Sequence, residues 1–157
     1  MIKVNVVCVG KVKEKYYTDA IKEYAKMLSR FCAFNVIEVQ EENYKKVDAS
    51  LIEKIKEKEG ERIISQLKGY VIVLTPEGQK YSSVSFAKKL KGLTDMGEGV
   101  ISFVIGGSYG ISNAVKKMAN DKISFSDMTF PHTLFRVMLT EQIYRAFSIN
   151  SGCTYDK

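Results

Sequence analysis

Apolar residues recur along the chain with two periods, and the alternation of those periods lays out its elements. Residues 2–9 (IKVNVVCV) alternate loosely and are rich in valine, which predicts a strand ended by Gly10. Tyr17, Ile21, Tyr24, Leu28 and Phe31 follow at intervals of 4, 3, 4 and 3, lining one face of a helix, while Lys15, Lys22 and Lys26 fall on another. A second strand is predicted at 34–39 (FNVIEV). From Ser50 to Lys68, residues Leu51, Ile55, Ile63 and Leu67 return at roughly helical spacing, with Gly60 expected to interrupt that helix. The unbroken apolar run 70–74 (YVIVL) predicts a strand buried on both faces of a parallel sheet, and the turn TPEG is expected to end it. A helix over SVSFAKKLKGL, a strand at 100–105, a helix from Ser112 to Asn120, a strand at 122–126 and a long helix from Pro131 to Ile149 complete the series.

Strands and helices that alternate with short connections predict an α/β fold, a three-layer sandwich on a mostly parallel sheet of about five strands. The chain carries no internal repeat and no linker, so a single domain over residues 1–157 is expected. The last helix is apolar around most of its circumference, with Leu134, Val137 and Met138 on one side and Phe135, Leu139, Ile143 and Phe147 on another. Such a helix is buried on two sides, and in a chain this short the second surface is expected to be a partner subunit in a symmetric homodimer.

Composition narrows the classes. With 45% apolar residues and two prolines, the chain can bury a sizeable core and is expected to be ordered nearly end to end. Cys8, Cys32 and Cys153 form no C-x-x-C pair and read as reduced residues of a cytoplasmic protein. No stretch suggests a membrane or secretory segment, and no metal is expected. The net charge of +6 is uneven: residues 1–30 carry seven basic groups (Lys3, Lys11, Lys13, Lys15, Lys22, Lys26, Arg30) against three acidic ones, while the segment from Ile123 onward balances. A polyanionic partner at the N-terminal half is consistent with that asymmetry.

Ligands of open α/β sheets sit outside the carboxyl ends of the strands, which draws attention to Leu74–Gly78, Gly106–Gly110 and Phe125–Phe130. Glycines at Gly106, Gly107 and Gly110 serve either a tight strand-to-helix turn or a close approach of bare backbone to a ligand. A dinucleotide fingerprint fits poorly, although Asp127 lies about 20 residues beyond Gly107, because the full G-x-G-x-x-G spacing is absent and the cluster follows a late strand.

Several motifs in order, VGKVKEKYY, KEKEGERI, FVIGGSYG, SFSDMTFPH, EQIYRA and the final Tyr155, carry a closer resemblance. Over essentially its whole length the chain resembles the small bacterial SPOUT-class methyltransferases that modify N3 of a pseudouridine in the 23S RNA of the large ribosomal subunit. That resemblance implies a C-terminal trefoil knot whose loops bind S-adenosylmethionine. Carried over residue by residue, the methyl donor is expected against Leu74, Gly106 and the segment Phe125, Ser126, Asp127, Met128, Thr129 and Phe130. The resemblance further implies action on the assembled ribosome by a homodimer in which one subunit holds the donor and the other helps grip the RNA.

Methyl transfer to a uracil N3 needs alignment of nitrogen and methyl, and a route for the N3 proton. Among His132, Arg136, Glu141, Arg145, Tyr155 and Asp156, the residues taken as catalytic are Tyr155, Asp156 and Arg136. For His132 a structural role stands beside the catalytic one, and Glu141 with Arg145 also reads as a helix-surface ion pair. The tail departs from the family, whose members typically end in Tyr-His-Lys or Tyr-His-Arg, where this chain has Tyr155-Asp156-Lys157. A second departure is Thr75, where relatives commonly carry an acid after the leucine. RNA contact is expected chiefly from Lys11, Lys13, Lys15, Lys22 and Lys26, with Arg136 or Arg145 from a neighbouring subunit. Two other classes stand beside this reading: a catalytically weak or silent RNA-binding protein on the same fold, which the altered tail favours, and a nucleotide-dependent oxidoreductase using the glycine turn.

Overall fold

A computed structural model describes residues 1–156. The elements run β1 (Lys3–Val9), α1 (Lys15–Leu28), β2 (Ala33–Val39), α2 (Ala49–Ile64), β3 (Tyr70–Lys80), α3 (Ser83–Asp95), β4 (Val100–Ile105), α4 (Asn113–Met118), β5 (Asp121–Ser124) and α5 (His132–Asn150). The five strands form one sheet in the order β2-β1-β4-β3-β5, and every pairing is parallel. The predicted α/β sandwich is therefore what the chain forms.

Both sheet faces are buried, and the strands divide their residues between them. Val4, Val6 and Cys8 of β1, Ile72 and Leu74 of β3, and Ile101, Phe103 and Ile105 of β4 share a core with Leu28, Phe86, Leu90, Leu139 and Ile143. Val7, Val9, Val71, Val73 and Val104 join Ile63, Ile111 and Val115 on the other face. The period-2 alternation of strand side chains thus feeds two cores, with α1, α3 and α5 over one and α2 and α4 over the other. The two connections carrying α1 and α3 step one way across the sheet and the two carrying α2 and α4 step the other, so all share one hand. β5 lies beyond β3 and the chain returns from it onto the α1/α3 face, a strand order compatible with the knot that the resemblance implies.

Two local expectations are corrected. Gly60 does not interrupt α2, which continues through it to Ile64 with Gly60 buried. A Cβ there would overlap the Ser112 hydroxyl and stand 3.2 Å from Ser112 Cβ, so the glycine permits close contact with the start of α4. TPEG does not end β3: pairing with β5 shifts register between Leu74 and Gln79, both opposite Ile123, so the four residues form a looped-out irregularity within the strand. α5 lies against both α1 and α3, and none of its residues is fully exposed, so much of its apolar circumference is buried within the protomer.

Candidate functional site

Because every strand points the same way, the loops after all five strands share one edge of the sheet. There, on the α5 face, Leu74, just before the β3 irregularity, and Ile105, at the end of β4, stand as apolar walls, 7% and 4% exposed. Around them Gly106, Gly107, Gly110, Ile111, Ser124, Phe125, Ser126, Met128, Thr129, Phe130, His132 and Phe135 enclose a cleft of about 170 Å³, with Thr75 and Pro76 at its rim. Phe135 reaches it from the first turn of α5, its ring 4.8 Å from that of Phe125 and 6.3 Å from that of Phe130.

The glycine cluster makes the tight strand-to-helix turn, and its bare backbone faces the cleft. Gly110 has φ +91 and its N–H donates to the Gly107 carbonyl at 3.0 Å, closing a tight turn. A Cβ on Gly106 would stand 2.6 Å from Ile111 Cγ1 and 3.0 Å from the Gly110 carbonyl carbon, so the turn folds on itself only with bare backbone. That same backbone is one wall of the cleft. The facing loop is shaped by its own hydroxyls: Ser124 Oγ donates to the Ser126 carbonyl at 3.1 Å, and Ser126 Oγ accepts from the Met128 N–H at 3.0 Å.

At the rim, Thr75 Oγ1 donates to Glu77 Oε2 at 2.5 Å and Lys116 pairs with Glu77 Oε1. Lys116, with Thr75, holds the Glu77 carboxyl down to about 2. His132 Nδ1 is buried without a hydrogen-bond partner among the described residues, and burial with the nearby Arg136 charge pushes the imidazole down, which favours its neutral form at pH 7.

Of the residues expected at a donor, Leu74, Gly106, Phe125, Ser126, Met128, Thr129 and Phe130 line this cleft, and Asp127 does not. Its side chain is 82% exposed and pairs with Lys80 at 2.6 Å. Ile111, His132 and Phe135 were not expected there. The signal for the last two lay in their spacing, since they stand three apart at a helix start and share a face.

The residues taken as catalytic lie elsewhere. Arg136, 1% exposed, donates from Nη1 to Glu38 at 2.6 Å and from Nη2 to the Val9 and Gly10 carbonyls, each at 2.7 Å. It clamps α5 to the ends of β1 and β2, so the expectation that Arg136 meets phosphates or the reacting base is replaced by a structural role. The Glu38 side chain is 39% exposed, so solvent screens that ion pair, whereas the two carbonyl bonds are buried. Tyr155 and Asp156 fold back on α5: Arg145 Nη1 donates to Asp156 at 2.8 Å, Arg145 Nε to Glu141 at 2.8 Å, and Tyr155 Oη to Glu141 at 3.3 Å. The Arg145 guanidinium lies 4.9 Å from the Tyr155 ring centre, and Tyr144 meets that ring edge-on at 4.8 Å. Burial, reinforced by Glu141, pushes the Tyr155 phenol up to about 12. None of residues 151–156 lines the cleft.

Lys11, Lys13, Lys15, Lys22 and Lys26 are all exposed, and Lys11 and Lys13 belong to the β1–α1 loop, on the same sheet edge as the cleft. No helix is long and apolar enough to cross a membrane, and among the described residues no group of three or more His, Cys, Asp or Glu is placed to hold a metal ion.

A wholly parallel sheet with a small apolar cleft and a bare glycine turn at its carboxyl edge is the arrangement in which open α/β proteins bind ligands. Relatives narrow this. The family described as "Predicted SPOUT methyltransferase" matches residues 2–156. A protein named ribosomal RNA large subunit methyltransferase H from Lactobacillus helveticus is 50% identical over 159 residues, covering 99% of this chain and all of that one. One of the same name from Clostridium acetobutylicum is 49% identical over 160 residues, with the same coverage. Among solved structures, a probable methylase family protein from Haemophilus influenzae superposes with a TM-score of 0.56 at 10% identity, over 95% of this chain and 66% of that one. The tRNA (m1G37) methyltransferase of Aquifex aeolicus gives 0.52 at 14% identity, over 92% and 69%. The chain belongs to the SPOUT methyltransferase family.

Proposed function

We propose that this protein transfers a methyl group from S-adenosylmethionine to N3 of a pseudouridine in 23S ribosomal RNA, acting in the cytoplasm as a homodimer on the assembled ribosome. The observation that carries the reading is the cleft at the carboxyl edge, in a chain half identical to proteins named ribosomal RNA large subunit methyltransferase H. Its residues fit an adenosyl group: Leu74, Ile105 and Phe130 offer apolar walls, and the Gly106–Gly110 turn offers bare backbone. S-adenosylmethionine, when bound, supplies an electrophilic methyl on a sulfonium.

The chain's own residues then divide the work. Leu74, Gly106, Phe125, Ser126, Met128, Thr129 and Phe130 hold the donor, while Asp127, exposed and paired with Lys80, stands outside the cleft. Tyr155 and Asp156 face the target base from the partner subunit, a division supported by their distance from the cleft of their own protomer. Because its phenol is held near 12, Tyr155 stays protonated and acts as a stacking surface, its O–H donated to Glu141, and not as the base. The Asp156 carboxylate, oriented by Arg145, is the tail's acceptor for the N3 proton. Exposed lysines of the β1–α1 loop and α1 engage phosphates.

The resemblance favours a second reading, a protein that binds donor and ribosome without turnover: Asp156 stands where the resembled family typically has a histidine. Methyl incorporation from labelled S-adenosylmethionine into ribosomes lacking this modification separates the two. Incorporation by the natural chain is the expected result. Donor binding without incorporation, together with activity in Asp156→His, establishes the silent reading.

A further inference from the structure

The motif KEKEGERI, residues 56–63, forms the second half of α2, under the sheet face opposite α5, and none of its residues lines the cleft. Its inner side nonetheless meets the glycine turn from below. Glu59 is 5% exposed; its Oε2 accepts from the Glu42 N–H at 3.0 Å, while Oε1 is buried without a partner among the described residues. A Cβ on Gly107 would stand 2.9 Å from that free oxygen and 3.2 Å from Val9 Cγ1. One residue on, Gly60 admits Ser112, whose hydroxyl accepts from the Val115 N–H and caps α4 where the turn leaves. Arg62 donates to the Gln40 carbonyl at 2.9 Å and to Glu42 at 2.8 Å, tying down the loop that Glu59 also holds.

A position that only fills space would take a leucine or methionine, because a buried carboxyl with one oxygen unpaired is costly. Burial does push this carboxyl up from its ordinary value, against the hydrogen bond from Glu42. The carboxyl stands where the backbone of the glycine turn comes closest.

We propose that Glu59 is a positioning residue for methyl-donor binding: it sets the height of the Gly106–Gly110 turn in the cleft, with Gly60 and Arg62 fixing the turn's exit and the adjoining loop. The inference rests on the donor reading of that cleft. Glu59 touches no ligand and acts through Gly107.

The test is calorimetric titration of S-adenosylmethionine into the natural chain, Glu59→Leu, Glu59→Gln, Glu59→Ala, Gly107→Ala and the double variant Glu59→Ala/Gly107→Ala, with thermal melts of each. Glu59→Leu is expected to melt no lower than the natural chain yet bind the donor about tenfold more weakly, the scale of couplings carried by residues without ligand contact. Glu59→Gln, whose amide oxygen still accepts from Glu42, recovers most of that affinity. Gly107→Ala weakens binding by pressing on Oε1, and truncating Glu59 relieves it, so the double variant loses less than the two single losses combined. Natural affinity in both Glu59→Leu and Gly107→Ala overturns the proposal, as do additive losses in the double variant. If Glu59→Leu fails to fold, the Gly107→Ala pair decides. A natural chain that binds no donor overturns the donor reading and this inference with it, whereas failure confined to the variants overturns the inference alone.

Discussion

The carboxyl-edge cleft is walled by Leu74, Ile105, Ile111 and Phe135 and finished with bare backbone, whereas the tail cluster consists of Glu141, Arg145, Asp156 and two tyrosines held by charge and ring contacts. The two are parts of one helix apart: Arg145 stands thirteen residues beyond His132, about 20 Å along α5. The contrast is instructive because methyl transfer asks for both kinds of surface, an apolar slot that holds the donor and polar groups that manage a proton and a base. One protomer carries both and does not bring them together, which is why the proposed function needs two subunits.

The sharpest way to break that comparison is to damage the slot alone. Gly106→Val drives a branched side chain into Ile111 and the Gly110 backbone. Donor affinity is expected to fall more than about 100-fold, the scale of severe overpacking, while ribosome binding persists. Unchanged donor affinity by calorimetry would remove the donor from this cleft. The converse damage falls on the tail. Tyr155→Ala should lower kcat about 30-fold with donor affinity intact, as expected when a substrate-positioning group is lost. Tyr155→Phe keeps the ring and should fall between the two. Because the folded phenol is held near 12, above the ordinary tyrosine value, the pH–rate profile of the natural chain should show no Tyr155 inflection below about pH 10. A tyrosine-dependent inflection near neutrality would make Tyr155 the base and contradict this division.

Unequal legibility follows from the same contrast. Strand positions were readable because burial on two faces leaves unbroken apolar runs such as 70–74, and helices because Tyr17, Ile21, Tyr24 and Leu28 keep one face. The continuation of β3 past TPEG was not, since turn residues look alike whether a strand ends or bulges. Gly60 read as a breaker because sequence shows a missing Cβ but not the Ser112 that occupies its place. Arg136 looked catalytic because a lone arginine near a functional motif gives no sign of the carbonyls of Val9 and Gly10, which are distant in sequence. The cleft residues came from the resemblance and not from periodicity; by pattern alone, Leu74 and Phe125 are ordinary core.

The electrostatic side separates more mildly. Lys11→Glu and Lys22→Glu alter exposed groups near the sheet edge without touching the cleft. Each should weaken ribosome binding by about threefold to tenfold at moderate salt and lower the salt slope by about one, with donor affinity unchanged. A salt-independent affinity in the natural chain would mean that phosphates are not what the N-terminal lysines meet.

The smallest effect concerns the rim, where this chain has Thr75 in place of an acid and carries Glu77 two residues on. Thr75 donates to Glu77 and Lys116 pairs with it, so the folded carboxyl titrates near 2 while the unfolded one titrates near 4.5. A carboxyl whose pKa is lower in the folded state stabilises the fold above its unfolded pKa, and that contribution is lost as pH falls from about 4.5 towards 2. Glu77→Gln should therefore cost stability at pH 7 and cost nothing near pH 2. With the side chain 55% exposed, the difference is about 0.5 kcal/mol or less, since solvent screens the pair. Denaturant titrations of both proteins at pH 7 and pH 3 read it as a gap that narrows on acidification. A gap that stays constant would mean that Glu77 shapes the 75–78 loop by its size and not by its charge, and that the rim owes nothing to the acid displaced from position 75.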